Sequence, residues 1–281
     1  MAVYKANAII LRRIPLGETD KIITLLSREG GRYNAVAKGA RKTTSRLAGA
    51  TEPLMFLRAA FAEGMNLDIL TQCDIRESFP HLRGDFGLFL RATYVCELLD
   101  KTTPERDTVS APEAFDLLLS TMYILQRAVD PDAAVHAFEL QWMRLIGYEP
   151  QLFECVRCER PFDGDRVRVA AYAPARGGAL CAECANAVRD ETMRLSPEAH
   201  RVLVDLAASD NARALAAYRL PDNDGRAEIA RALRAHLRYR LERDVRSTAF
   251  LDAFRLGAMD DPALLSLTND APQKDTPRFE P

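Results

Sequence analysis

The first eighty residues alternate between apolar and polar positions with the short period of extended chain. Residues 3–11 end in Ile9-Ile10-Leu11, and residues 21–26, 33–37, 54–62 and 67–73 supply four more short apolar stretches. Gly30-Gly31 separates the second stretch from the third, and Glu63-Gly64-Met65-Asn66 separates the last two; both are hairpin signals. Five short strands with few long helices predict a small β-barrel over residues 1–80. A five-stranded oligonucleotide-binding (OB) barrel fits the count, although strand count alone does not separate it from an SH3-like barrel.

From about residue 85 the period becomes helical. Phe86, Phe89, Leu90, Tyr94 and Leu98 recur at helical spacing. Pro112 sits in the first turn of a second helix that carries Phe115, Leu118, Leu119, Met122 and Leu125 on one face. Pro131-Asp132 opens a third, which ends at Gly147, a residue suited to a left-handed helix end. Ser196-Pro197 is a helix start, with serine as cap and proline in the first turn. Helical patterning returns over residues 226–244 and 247–254. The expected fold class is α+β and multidomain. It has the barrel at 1–80, a helical domain in two parts at 81–150 and 191–260, a cysteine module between them at 151–190, and a disordered tail at 261–281.

That module carries Cys155-Val156-Arg157-Cys158 and Cys181-Ala182-Glu183-Cys184, with two residues inside each pair and twenty-two between the pairs. Four thiolates around zinc make a closed tetrahedral site with no open position for water, so such a metal holds structure and performs no chemistry. The gap slightly exceeds the usual zinc-ribbon range of roughly 15–20 residues. Two disulfides are the competing reading, and an intracellular-looking chain favours metal. Cys73 and Cys96, in apolar surroundings, read as inert core residues. No apolar run approaches the ~18 residues of a membrane span, and the N-terminus lacks the long apolar region of a secretory signal. The cytoplasm is the expected location.

Net charge is −2, but residues 1–50 hold ten Lys/Arg against three Asp/Glu, while the remainder holds 28 against 37. This asymmetry points the N-terminal part at a polyanion. Lys38, Arg41, Lys42 and Arg46 fall within nine residues with no acid among them, interleaved with Gly39, Thr43, Thr44 and Ser45. Mobile cations beside short hydroxyl and backbone donors suit phosphate oxygens. Arg32 and Tyr33 lie just upstream and complete the set of candidate DNA contacts. Tyr33 fits base stacking and barrel core equally well.

The run from Leu16 to Lys42, LGETDKIITLLSREGGRYNAVAKGARK, resembles the N-terminal signature of the bacterial RecO recombination-repair family. Further along, Ser45-Arg46, Tyr94 with Glu97-Leu98-Leu99-Asp100, Phe138-Glu139-Leu140, Gly147-Tyr148-Glu149-Pro150 and Gly177-Gly178-Ala179-Leu180-Cys181 are similar to that family in the same order. The resemblance implies an N-terminal OB domain, a helical domain and an embedded four-cysteine zinc module with one structural zinc per chain. It implies a non-enzymatic mediator, associated with the nucleoid, that binds single- and double-stranded DNA and anneals complementary strands. Such proteins act with RecR, and often RecF, to load RecA onto strands coated by single-strand binding protein (SSB). The helical part resembles the region that receives the acidic C-terminal tail of SSB. Arg234, Arg238, Arg240 and Arg246 are available to meet such a tail.

Other function classes fit less well. A zinc nucleobase deaminase needs His-x-Glu upstream of Pro-Cys-x-x-Cys, whereas Glu154 precedes Cys155 and His136 to Glu139 is one residue too long. The other histidines, His81, His200 and His236, form no metal-ligand spacing. Neither a Gly-x-x-x-x-Gly-Lys-Ser/Thr phosphate loop nor a clustered carboxylate motif for two metals is evident, so ATP hydrolysis and nuclease chemistry are not expected. The alternative is an adaptor whose barrel and zinc ribbon hold a protein partner without touching DNA.

Overall fold

The computed structural model describes residues 2–164, 166–222, 224–241, 245 and 247–255. Its N-terminal part runs β1 (Val3–Leu16), β2 (Asp20–Ser27), β3 (Gly31–Ala37), α1 (Leu47–Ala50), β4 (Phe56–Ala62) and β5 (Asp68–Glu77). These strands close a barrel in the order β1-β2-β3-β5-β4, with the short helix between β3 and β4, which is OB-type topology. β1 extends past the expected residue 11 because it serves both neighbours. Residues 3–9 pair with β4 and residues 8–16 with β2, across a bulge between Ile10 and Arg12 that lets one strand bend around the barrel. Alternation sends Ala6, Ala8, Ile10, Ile23, Leu25, Tyr33, Ala35, Leu57 and Phe61 into the interior. Small alanines there make room for the Tyr33 and Phe61 rings, which meet edge to face at 5.6 Å.

The helical part begins with α2 (Pro80–Gly84), α3 (Phe86–Thr102), α4 (Ala111–Leu125) and α5 (Pro131–Leu145). Asp85 caps α3 by accepting the Leu88 N–H at 2.8 Å. Gly147 lies just beyond α5 with φ +81, the left-handed end its position implied. The cysteine module contains β6 (Val169–Ala173), β7 (Gly178–Cys181), α6 (Ala182–Ala185) and β8 (Met193–Arg194), a three-stranded sheet in the order β7-β6-β8. Then follow α7 (Pro197–Ala208), α8 (Ala212–Ala217), α9 (Asp224–Leu241) and α10 (Ser247–Arg255). Ser196 caps α7 as expected, its Oγ accepting the Ala199 N–H at 3.3 Å. Helices from both sides of the module share one core, in which Phe115, Phe138 and Trp142 belong with Leu203, Leu206 and Leu233. No described helix is long and apolar enough to cross a membrane. The tail over 261–281 and Arg246 lie outside the described residues.

The barrel meets the helices through Ile9, Leu11 and Leu26, which join the helical core, and through charge. Asp100 on α3 is buried and accepts Arg12 Nε at 2.6 Å and Arg32 Nε at 2.7 Å. Arg28 forms a two-point pair with Asp116 on α4, at 3.0 and 2.9 Å. The segment between α3 and α4 runs beside the start of β3, with the Arg106 N–H on the Arg32 carbonyl at 2.8 Å. Gly31, at φ +68, is required there, because a Cβ would lie 2.3 Å from the Asp107 carbonyl oxygen. Arg106 then reaches over the Tyr33 ring at 4.6 Å and donates to Asp68 at 2.6 Å.

Candidate nucleic-acid interface and metal centre

The six sequence-selected DNA contacts separate into two groups. Tyr33 is 0% exposed among Tyr4, Phe61 and Arg106, so it is a barrel-core residue and presents no face to a base. Arg32 is half-buried and held by Asp100. Both leave the candidate interface. Lys38, Arg41, Lys42 and Arg46 are all exposed, on the segment between β3 and α1, and none forms an ion pair with a described residue.

The basic segment is anchored at its start. The Arg41 N–H donates to the Thr19 carbonyl at 2.8 Å, and the Arg41 guanidinium donates to the Gly17 carbonyl. Asp20 accepts the Gly39 N–H and the Thr19 hydroxyl, both at 2.8 Å. Those two donors, with Lys38 and Lys42 nearby, hold its carboxyl below the ordinary range. The β1–β2 turn thus supports the loop from beneath while its cations face solvent. Thr19 and Asp20 were missed in sequence because their role depends on a contact between two turns.

The charge excess of residues 1–50 is also smaller in space than in sequence. Arg12 and Arg32 are paired with Asp100, Arg13 and Lys21 with Glu52, and Arg28 with Asp116. Five of the ten cations therefore answer acids from elsewhere in the chain. Of the remaining five, four stand on the one loop and the fifth is Lys5.

The second site is the cysteine cluster. The four sulfurs of Cys155, Cys158, Cys181 and Cys184 lie within 4.8 Å of one another. Cys158 and Cys181 are 3.9 Å apart, close to the ~3.8 Å edge of a tetrahedron with metal–sulfur bonds of about 2.3 Å. The cysteines are free thiols, which sets the disulfide reading aside. A tight turn over residues 153–162 presents the first pair, with the Glu159 N–H on the Cys155 carbonyl and the Cys155 N–H on the Arg160 carbonyl. Cys181 ends β7 and Cys184 sits in α6. Gly178 allows the two halves to meet, since a Cβ would lie 2.3 Å from the Gln151 oxygen and 2.6 Å from Val156.

The surroundings favour thiolate. Arg160 donates to Cys158 at 3.3 Å and draws its thiol down to about 6. Burial opposes ionisation of Cys155, but the N–H groups of Cys181, Cys158 and Arg157 outweigh it and lower its value. Burial and the three neighbouring sulfurs push Cys184 up to about 12. A central cation reverses that penalty, so the donor set fits a metal. The cluster also has apolar support. Ala171, Ala173 and Leu180 form a small core with the cysteines, against which Val156 and Phe162 pack.

Comparison with known proteins covers nearly the whole chain. Residues 1–79 match the family model for the recombination protein O N terminal, and residues 83–249 match that for the recombination protein O C terminal. A DNA repair protein RecO from Symbiobacterium thermophilum is 38% identical over 91% of this chain and 99% of its own length. A second, from a Roseiflexus species, is 38% identical over 90% of this chain and 86% of its own. A third, from Heliobacterium modesticaldum, is 33% identical over 96% and 97%.

Proposed function

The chain belongs to the recombination protein O family, and from that membership we propose that it is a DNA repair and recombination mediator. It binds single- and double-stranded DNA, anneals complementary strands and works without a catalytic step. With RecR, and with RecF where that partner takes part, it loads RecA onto strands coated by SSB, in the cytoplasm at the nucleoid. The observation that carries this reading is the exposed set Lys38, Arg41, Lys42 and Arg46, which forms no ion pair among the described residues while neighbouring arginines are paired. Phosphates displace condensed counterions from such a surface, and four contacts give a log–log salt slope of about −3 on single strands. Two strands held on one cationic surface repel each other less, so their exposed base edges can pair.

The acidic SSB tail fits the helical domain better at a groove between α4 and α8 than on α9. Arg234 of α9 is paired with Asp252, and Arg240 is packed against Gly177. The groove has a volume of about 660 Å³, and its lining includes Leu119, Tyr123 and Ala216, the exposed Arg127 and Arg213, and Asp116, which is paired with Arg28. The cluster metal is zinc, one per chain, in a structural role that ties residues 155–158 to 181–184.

Lys38→Glu, Arg41→Glu and Lys42→Glu together should bring the salt slope close to flat and abolish annealing, read by fluorescence anisotropy and by strand-annealing assays. Unchanged DNA affinity in that variant would remove the loop from the mechanism and favour a protein-binding adaptor. Elemental analysis should return about one zinc per chain, and a full thiol titre without metal would defeat the zinc assignment.

A further inference from the structure

The four sulfurs of the cysteine cluster are unequally covered. Cys155, Cys181 and Cys184 are buried, while Cys158 is half-buried. Arg160 lies against that more open sulfur, its Nε donating to Cys158 Sγ at 3.3 Å. The other arm of the same guanidinium, Nη2, donates to Cys181 Sγ at 3.8 Å and pairs with the Glu183 carboxylate. Cys181 and Glu183 belong to the second half of the cluster, so one side chain spans both halves. The turn fixes its root. Glu159 takes a left-handed φ of +58 and reverses the chain, and the Arg160 carbonyl accepts the Cys155 N–H at 3.0 Å. Arg160 and Glu183 are both well exposed, so their pairing contributes little to stability. What the side chain supplies is cover for a sulfur.

We propose that Arg160, held by Glu183, is a latch that sets how fast the metal leaves the cluster. The proposal rests on the zinc reading above and adds the control of metal exchange. A competing ligand must reach a sulfur, or the metal behind it, before the metal can leave. Three of the sulfurs are buried, and the fourth, Cys158, carries the guanidinium. Four thiolates around a divalent cation leave negative charge in excess. N–H donors from a cation offset part of it, which makes each sulfur a poorer base towards a proton or a competing metal. The guanidinium suits this position because its planar fork reaches two sulfurs and a carboxylate at once, where a lysine ammonium is a point charge. When Arg160 swings into solvent, Cys158 is uncovered and exchange starts from that corner.

The test uses the full-length, zinc-loaded protein mixed with an excess of the chromogenic chelator pyridylazoresorcinol, whose colour reports released zinc. Arg160→Ala should release zinc about tenfold faster than the wild type, the scale on which loss of a group behind a metal ligand acts. Arg160→Lys should restore part of the delay. Glu183→Gln, which leaves the guanidinium on the sulfurs but unties its far end, should accelerate release less than Arg160→Ala. Arg176→Ala is the control. Arg176 is paired with Asp190 in the same module, is similarly exposed and donates to no cysteine, so its removal should leave the rate unchanged. Equal rates for the wild type and Arg160→Ala would overturn the proposal. So would an equal acceleration in Arg176→Ala, because the module as a whole would then set the rate. If Arg160→Ala kept no metal through purification, wild-type rates in both Arg160→Lys and Glu183→Gln would overturn the latch. A wild type that carries no zinc would strike the zinc reading itself, and this one with it.

Discussion

The helical domain holds its two neighbours by different means. Towards the barrel, Ile9, Leu11 and Leu26 join the helical core, and ion pairs ring that contact: Asp100 takes Arg12 and Arg32, Asp116 takes Arg28, and Arg106 reaches back to Asp68. Towards the cysteine module the seam holds one ion pair among the described residues, Arg194 on β8 with Glu228 on α9, and is otherwise built from neutral histidine contacts. His236 on α9 lies 2.5 Å from the Tyr172 hydroxyl on β6 and 2.7 Å from the Tyr148 carbonyl, and His200 Nε2 is 2.6 Å from the Leu152 carbonyl. The Phe162 and His200 rings meet edge to face at 5.1 Å. The difference follows from composition. A barrel with surplus arginine docks on carboxylates, and the pairing that fixes it also leaves one loop as its concentrated free charge. The two seams should therefore fail under different conditions.

The histidines of the module seam are what acid titrates, and by pH 4 they carry the largest effect. Burial first, and Arg240 nearby, lower His236 to about 4 against the opposing help of its N–H on the Tyr148 carbonyl. A histidine with a depressed folded value stabilises the fold above its unfolded value of about 6.5 and loses that contribution as pH falls towards 4. The loss from His236 is about 2 kcal/mol between pH 7 and pH 5 and about 3 kcal/mol by pH 4. His200, also lowered by burial, acts in the same direction. Denaturant unfolding of wild type and His236→Gln at pH 7 and pH 5 measures this. The variant should lose less stability on acidification, and equal losses would show that the seam does not titrate.

The ionic seam is broken instead by removing its shared acid. Asp100→Ala leaves Arg32, only partly exposed, without a counter-charge, while Arg12 is about half exposed and can turn to water. Deleting one partner of a buried pair costs about 3–5 kcal/mol, and the exposure of Arg12 reduces the expectation here to about 2–3 kcal/mol. The acid sensitivity of His236 should be unchanged in this variant, as should DNA affinity, because the loop cations are not part of the seam. A destabilisation smaller than that of an ordinary surface substitution would mean that apolar packing alone holds the barrel.

Much of this arrangement was legible in the residues, and the gaps have physical reasons. Period-two alternation located the five strands, and the Ser196 and Gly147 signals placed helix ends because both are local chemistry. Cysteine spacing gave the four-sulfur cluster, which could hold a metal ion. Tyr33 was open between core and base stacking. The signal that resolves it is Ala35 and Ala37 at the same parity, since such small residues suit a barrel interior. Asp100 gave no local sign of its role, because Arg12 and Arg32 lie 88 and 68 residues away. The sheet of the cysteine module escaped notice because its strands are five, four and two residues long, too short to show a period.

The mildest break of the ionic seam is Arg28→Ala. Its two hydrogen bonds to Asp116 have good geometry, and Asp116 raises the arginine above its ordinary value, but both side chains are about half exposed. Water and salt can replace such a pair, and its net worth is small. The unfolding midpoint of Arg28→Ala should fall slightly in dilute buffer, by much less than that of Asp100→Ala, and match the wild type in about 1 M salt, where the screening length is about 3 Å. The Asp100→Ala defect should persist in the same salt, because a buried carboxylate is poorly screened. If both defects vanished together, Asp100 would behave as a surface charge, and the barrel seam would be as replaceable by solvent as its outermost pair.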